Sequence, residues 1–185
     1  MKPEQLKYLS GYPEQMQTRV RLLFERDEVG PTLQKKYAAR HDIRTDKALY
    51  HYVQALKQSA LRLATPIDKV SFDSKLHVVR HALGTHTAIS RVQGGKLKAK
   101  REIRIASMFK AVPLEFLRMI VVHELAHVRH SEHDKAFYQL CQYLEPAYHQ
   151  FEFDLRLYLT YLDWSGTPLW QGAGVERSAA VEISA

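Results

Sequence analysis

The stretch Val121-Val122-His123-Glu124-Leu125-Ala126-His127 decides how the rest of this sequence is read. It is an H-E-x-x-H pattern, and its apolar setting of Leu117, Ile120, Val121 and Leu125 predicts a long helix. Residues four apart on a helix share a face, roughly 6 Å apart along the axis. His123 and His127 can therefore aim two imidazoles at one point, and Glu124 can reach a water on a metal held there. Two histidines with a carboxylate that takes a proton from such a water is the arrangement of zinc hydrolases. The His and Glu content of the 185 residues gives roughly 0.03 chance occurrences of the pattern. Pro113 suits the first helical position, and Glu115 suits the positive N-terminal end.

A third ligand is needed, and His133 is the leading candidate. On a continuing helix it would lie roughly 600° round from His127, pointing away from the metal. The helix must therefore stop and the chain turn back. Arg129-His130-Ser131-Glu132-His133-Asp134 fits that demand: apolar character is lost, and Ser131 or Asp134 can N-cap a following helix. A turn at His130 that needed positive φ would suit glycine better. Two rivals stand beside His133. His130 would stay on the metal face of a continuing helix but about two turns along. Glu145 could supply a carboxylate from the next helix, as in other zinc hydrolases.

Val121 to Tyr138, VVHELAHVRHSEHDKAFY, resembles the YgjP-like metallopeptidases of bacteria, a minimal zincin group similar to the SprT and WLM peptidases. The resemblance runs from about Leu9 to Leu162. It includes Gly11-Tyr12-Pro13-Glu14-Gln15, Thr45-Asp46-Lys47-Ala48-Leu49-Tyr50 and Ser90-Arg91-Val92-Gln93-Gly94-Gly95-Lys96-Leu97-Lys98. It implies one zinc ion on His123, His127 and His133, with Glu124 as the catalytic base. The chain departs from its relatives at Asp134, where Ser or Asn is frequent, and at Leu83-Gly84-Thr85, where many carry Trp-Gly-Ser.

The expected fold is α+β: a minimal zincin core with a small antiparallel sheet packed on the H-E-x-x-H helix, plus N-terminal and C-terminal helices. Residues 1–66 read as a helical elaboration, 67–162 as the catalytic core and 163–185 as a flexible tail. Helices are predicted over Gly11 to Glu28, Thr32 to Tyr37, and Asp46 to about Leu63 with Thr45 as N-cap. Strands are predicted at Val70 to Phe72, Lys75 to Val79, Thr87 to Val92 and Lys96 to Ile105, with Gly94-Gly95 forming a hairpin turn. Further helices are predicted at Lys135 to Leu144 and Ala147 to Leu162. The length suits one domain with a real core.

The net charge of +7 comes from 27 basic and 20 acidic residues. It permits contact with nucleic acid or an acidic protein without demanding it. Lys96, Lys98 and Lys100, with Arg101, Arg91 and Arg104 nearby, form the densest basic cluster. Edge protection of an exposed strand is the simpler reading of it, and a nucleic-acid contact the functional one. Cys141 is the only cysteine, so no intrachain disulfide forms, and its setting suggests a packed helix face. With neither a signal peptide nor a membrane-length apolar stretch in the sequence, a cytoplasmic location with no membrane partner is expected.

The resulting expectation is an intracellular zinc metallopeptidase acting on a protein or peptide. Tyr138, His130 and His86 are candidates to stabilise the oxyanion. The alternative is a nucleic-acid-associated binding module with structural or vestigial zinc. A structural site, however, has no need of Glu124 beside its first ligand. Hydrolysis of a non-peptide amide would use the same residue types.

Overall fold

The computed structural model describes residues 3–58, 66–76, 84–93 and 96–170, with backbone alone for 3–5, 84–93 and 96–100. After a 3-10 segment, Pro3–Leu9, come helices α1 (Glu14–Glu25), α2 (Val29–Lys36) and α3 (Asp46–Leu56). Strands β1 (Lys69–Asp73), β2 (Gly84–Gln93) and β3 (Lys96–Ala106) follow. The chain ends in α4 (Leu114–Ala126), α5 (Lys135–Leu144) and α6 (Tyr148–Ser165). The fold is α+β, as the sequence predicts.

Local chemistry sets several of these boundaries. Thr45 Oγ1 accepts the Ala48 N–H at 3.2 Å and starts α3. Asp134 Oδ1 accepts the Phe137 N–H at 2.8 Å and starts α5, so the cap is Asp134 and not Ser131. Helix α3 was predicted to about Leu63, but residues 59–65 lie outside the described region.

Two expectations about the sheet need correction. Its order is β1-β3-β2. The β2–β3 hairpin is antiparallel, but β1 runs parallel to β3, with Val70 opposite Ile103 and Phe72 opposite Ile105. The sheet is therefore mixed rather than wholly antiparallel. Val70, Ile103 and Ile105 are all buried, so their alternation faces the core whichever way the neighbour runs. The strand expected from Lys75 also does not start there. Asp73 Oδ1 accepts the Lys75 N–H at 2.8 Å and closes a turn; residues 77–80 lie outside the described region.

Helix α4 is the centre of the molecule. Phe116, Leu117, Met119, Ile120, Val121, Val122, Leu125 and Ala126 are all buried, the mark of a helix enclosed on every side. It packs against α5, α6 and the sheet. Buried apolar residues from Leu6 to Trp170 form one cluster around it.

Residues 163–170, expected as the start of a flexible tail, are ordered against the rest of the chain. Helix α6 continues to Ser165, and Gly166 closes it at φ +68, its N–H on the Leu162 carbonyl at 2.9 Å. A left-handed residue after the last turn is a usual helix stop, and glycine adopts it without strain. Lys7 pairs with Asp163 at 2.6 Å. Trp170 is buried, its indole N–H donating to the Tyr37 carbonyl at 2.7 Å. Residues 171–185 lie outside the described region. Among the described residues no helix is long and apolar enough to cross a membrane.

Candidate metal centre

The last turn of α4 carries His123 and Glu124, and His127 is its C-cap residue. Beyond it the helix tightens and ends: the Arg129 and His130 N–H groups both reach back to the Ala126 carbonyl, at 3.0 Å each. Such bonds satisfy the carbonyls that a helix end leaves free. The chain then turns back through residues 131–134 into α5. His130 needs no glycine-like conformation; Asp27 is the one non-glycine residue with positive φ among those described. The turn that a third ligand requires is therefore made at no backbone strain.

This turn brings His133 to the other two histidines. His123 Nε2 lies 3.2 Å from His127 Nε2 and 3.1 Å from His133 Nε2. All three ligand-capable atoms lie within 4.8 Å of one another. Tetrahedral zinc with Zn–N bonds of about 2.05 Å separates its ligand nitrogens by about 3.3 Å. The spacing found is that of ligands around a small cation.

The outer nitrogens agree with this. A carbonyl only accepts, so His127 Nδ1–H donates to the His130 carbonyl at 3.0 Å, which leaves a lone pair on His127 Nε2. His130 thus contributes its backbone to the site. His123 Nδ1 meets the Tyr148 hydroxyl at 2.8 Å. Burial first, then His127, His133 and Arg156, push the His123 pKa down to about 3. His127 is also lowered, chiefly by burial. Neutral imidazole is the form that binds metal.

Phe137 forms the floor of the cluster. Its ring centroid lies 5.0, 4.6 and 4.8 Å from those of His123, His127 and His133, and the residue is fully buried. The N-cap at Asp134 therefore sets both His133, one residue before it, and Phe137, three after. Neither Phe137 nor Tyr148 was singled out from the sequence. Phe137 lies four residues from His133, but no local pattern reveals that a loop folds one onto the other.

Glu124 is buried, at 2% exposure. Its Oε2 has no hydrogen-bond partner among protein atoms, and burial raises its pKa to about 8. A buried carboxylate oxygen without a partner is costly, which fits a group that meets water or substrate in the working site. The all-imidazole donor set suits zinc and other borderline divalent metals. Histidines and carboxylate together fit a hydrolytic metal ion.

The rival ligand Glu145 is otherwise engaged. Arg118 of α4 holds its carboxylate, which also accepts the Ala147 N–H at 3.1 Å. Cys141 is fully buried, and burial pushes its thiol up to about 12; it is no nucleophile. The Tyr138 ring stands 6.4 Å from that of His133. The side chain of His86 lies outside the described residues.

A family model described as YgjP-like, metallopeptidase domain, matches residues 90–157. The chain is also 60% identical over 157 residues to the UTP pyrophosphatase of Escherichia coli (strain K12), covering 85% of this chain and 94% of that protein. This chain belongs to the YgjP-like family. The YgjP-like match spans His123, Glu124, His127, His133, Phe137 and Tyr148, and so contains the whole cluster. Both descriptions are of hydrolases, and the YgjP-like chain falls in that broad class with a histidine cluster able to take a metal ion. No solved structure matches it.

Proposed function

We propose that this chain is a zinc-dependent nucleoside triphosphate pyrophosphohydrolase, with UTP as the first substrate to consider. The observation that carries the substrate is the 60% identity, over 85% of the chain, to a protein named UTP pyrophosphatase. His123, His127 and His133 would hold the ion. Bound there, zinc would act as a Lewis acid on a phosphoryl oxygen and make water a better nucleophile at neutral pH.

Glu124 accepts the proton of the attacking water. Its partnerless oxygen and buried setting suit a group that must pick up a proton and release it again. A cation held by the neighbouring histidines would draw its pKa back down and keep it ionised before reaction. The water oxygen forms a bond to the α-phosphorus, and the bond from that phosphorus to the α–β bridging oxygen breaks. The bridging oxygen leaves with its electron pair as part of pyrophosphate, and Glu124 returns the proton to product or solvent.

A second reading keeps the same residues and changes the bond. The H-E-x-x-H placement and the family model described as a metallopeptidase domain favour cleavage of a peptide or other amide. In that case Glu124 delivers its proton to the leaving amine. Both readings are compatible with a cytoplasmic enzyme.

The test is a direct assay of zinc-loaded protein with UTP, following UMP and pyrophosphate, beside an unfolded protein such as casein. Release of UMP and pyrophosphate that stops on removal of the metal is expected. Cleavage of casein with UTP untouched would replace the first reading by the second.

A further inference from the structure

His123 is held from behind as well as converging on the other histidines. Its Nδ1 lies 2.8 Å from the Tyr148 hydroxyl, and Tyr148 is fully buried. We propose that Tyr148 is a positioning residue of the metal centre, holding His123 with its proton on Nδ1 so that the Nε2 lone pair faces the ion. This rests on the metal reading given above.

The tautomer follows from the geometry. A ligand nitrogen cannot carry a proton, and His123 Nε2 is the atom that faces His127 and His133 at 3.2 and 3.1 Å. The ring proton then sits on Nδ1 and donates to the Tyr148 oxygen. Burial pushes the Tyr148 pKa up, so that oxygen stays a neutral hydroxyl. A neutral acceptor withdraws the imidazole proton less than a carboxylate would. His123 is therefore a less basic ligand, and the ion keeps more of its electrophilic character.

The chain places Tyr148 with care. It is the first residue of α6, and its N–H is fixed on the Glu145 carbonyl at 2.9 Å. Arg118 grips the Glu145 side chain and donates to the Leu144 carbonyl at 3.2 Å. Arg118 stands five residues before His123 on the same helix. Helix α4 thus fixes both the ligand and the turn that carries the ligand's partner. The two rings lie nearly parallel, 13° apart with centroids 6.4 Å apart. A residue needed only for packing would not require the hydroxyl.

Tyr148→Phe keeps the ring and removes that oxygen. Zinc affinity is read by competition with a chelator, the ligand field from the visible spectrum of cobalt-substituted protein, and folding from melting of the metal-free chain. The expected result is roughly 10–100-fold weaker zinc binding, the usual effect of losing such a partner. The cobalt bands should change as well, while the metal-free variant still melts cooperatively. Wild-type affinity and an unchanged cobalt spectrum in the variant would overturn the assignment. A second measurement needs no variant: nitrogen-15 NMR of the wild-type zinc protein should show the His123 proton on Nδ1, and a proton on Nε2 would overturn it. A wild-type chain that takes up no metal would overturn the metal reading itself, and this assignment with it.

Discussion

The Asp134 carboxylate accepts the Phe137 N–H at 2.8 Å, one residue after His133. A single hydrogen bond therefore starts α5, seats Phe137 under the three imidazoles and ends the loop that delivers His133. Asp134→Ala is predicted to cost about 1 kcal/mol of stability, as for other N-caps, and to weaken metal binding. Thr45→Ala removes the equivalent cap of α3. It should cost a similar amount in thermal or denaturant unfolding and leave metal affinity unchanged. Equal metal affinity in the two variants would separate the cap from the site.

The identity of the third ligand is tested by metal content. His133→Ala should lose stoichiometric zinc on dialysis. Glu145→Ala should keep it, because that carboxylate is taken up by Arg118 and the Ala147 N–H. The reverse pattern would return Glu145 to the metal.

How much of this could be read in the sequence depends on the range of the interaction concerned. The cap at Thr45, the limits of α5 and the convergence of His123 with His127 are encoded within four residues, and a periodic pattern exposes them. The turn before His133 was inferred from lost apolar character, and it forms without the positive φ that was considered for His130. Tyr148 and Phe137 went unnoticed because their roles exist only after α5 and α6 pack on α4. The parallel pairing of β1 with β3 was missed for the same reason: alternation marks a buried face but not the direction of the neighbouring strand. Residues 163–170 read as tail because the chain turns Gly- and Ser-rich from Asp163 onward, and the apolar Trp164, Leu169 and Trp170 within them are the signal that this reading passes over. Gly166 marks the true stop of α6, and Trp170 anchors the segment to Tyr37.

His41 gives the fold an acid sensitivity outside the site. Its Nε2–H donates to the Phe109 carbonyl at 2.8 Å, and its Nδ1 accepts the Ile43 N–H at 3.0 Å. The Nδ1 bond needs that nitrogen free of a proton, and burial lowers the His41 pKa from 6.5. The unfolded chain therefore binds more protons than the folded one just below that value, and stability falls as pH drops through it. Metal-free His123 and His127 are lowered too and act in the same direction. The urea midpoint of metal-free protein should fall between pH 7.5 and 5.5, and His41→Gln should make that fall shallower. An equal fall in the variant would remove His41 from the account.

The basic hairpin carries a separate expectation. β1 pairs with β3 only from Glu102 onward, so residues 96–100 have one edge without a strand partner among those described. That favours edge protection by Lys96, Lys98 and Lys100. Replacing all three with Gln should increase self-association in light scattering, with little change in binding to a polynucleotide. A polynucleotide affinity that falls steeply with salt, and a slope that flattens in the variant, would instead support a nucleic-acid contact.

Turnover by Glu124→Gln tests the central claim most directly. The amide keeps the shape and hydrogen-bonding capacity of the carboxylate but cannot take a proton at neutral pH. On the helix, Glu124 points about 100° away from His123, so the substitution should leave the three imidazoles in place. With zinc content and UTP hydrolysis measured on the same preparation, the variant should retain full zinc and lose at least about 10²-fold in rate. Full zinc with undiminished hydrolysis would contradict the account.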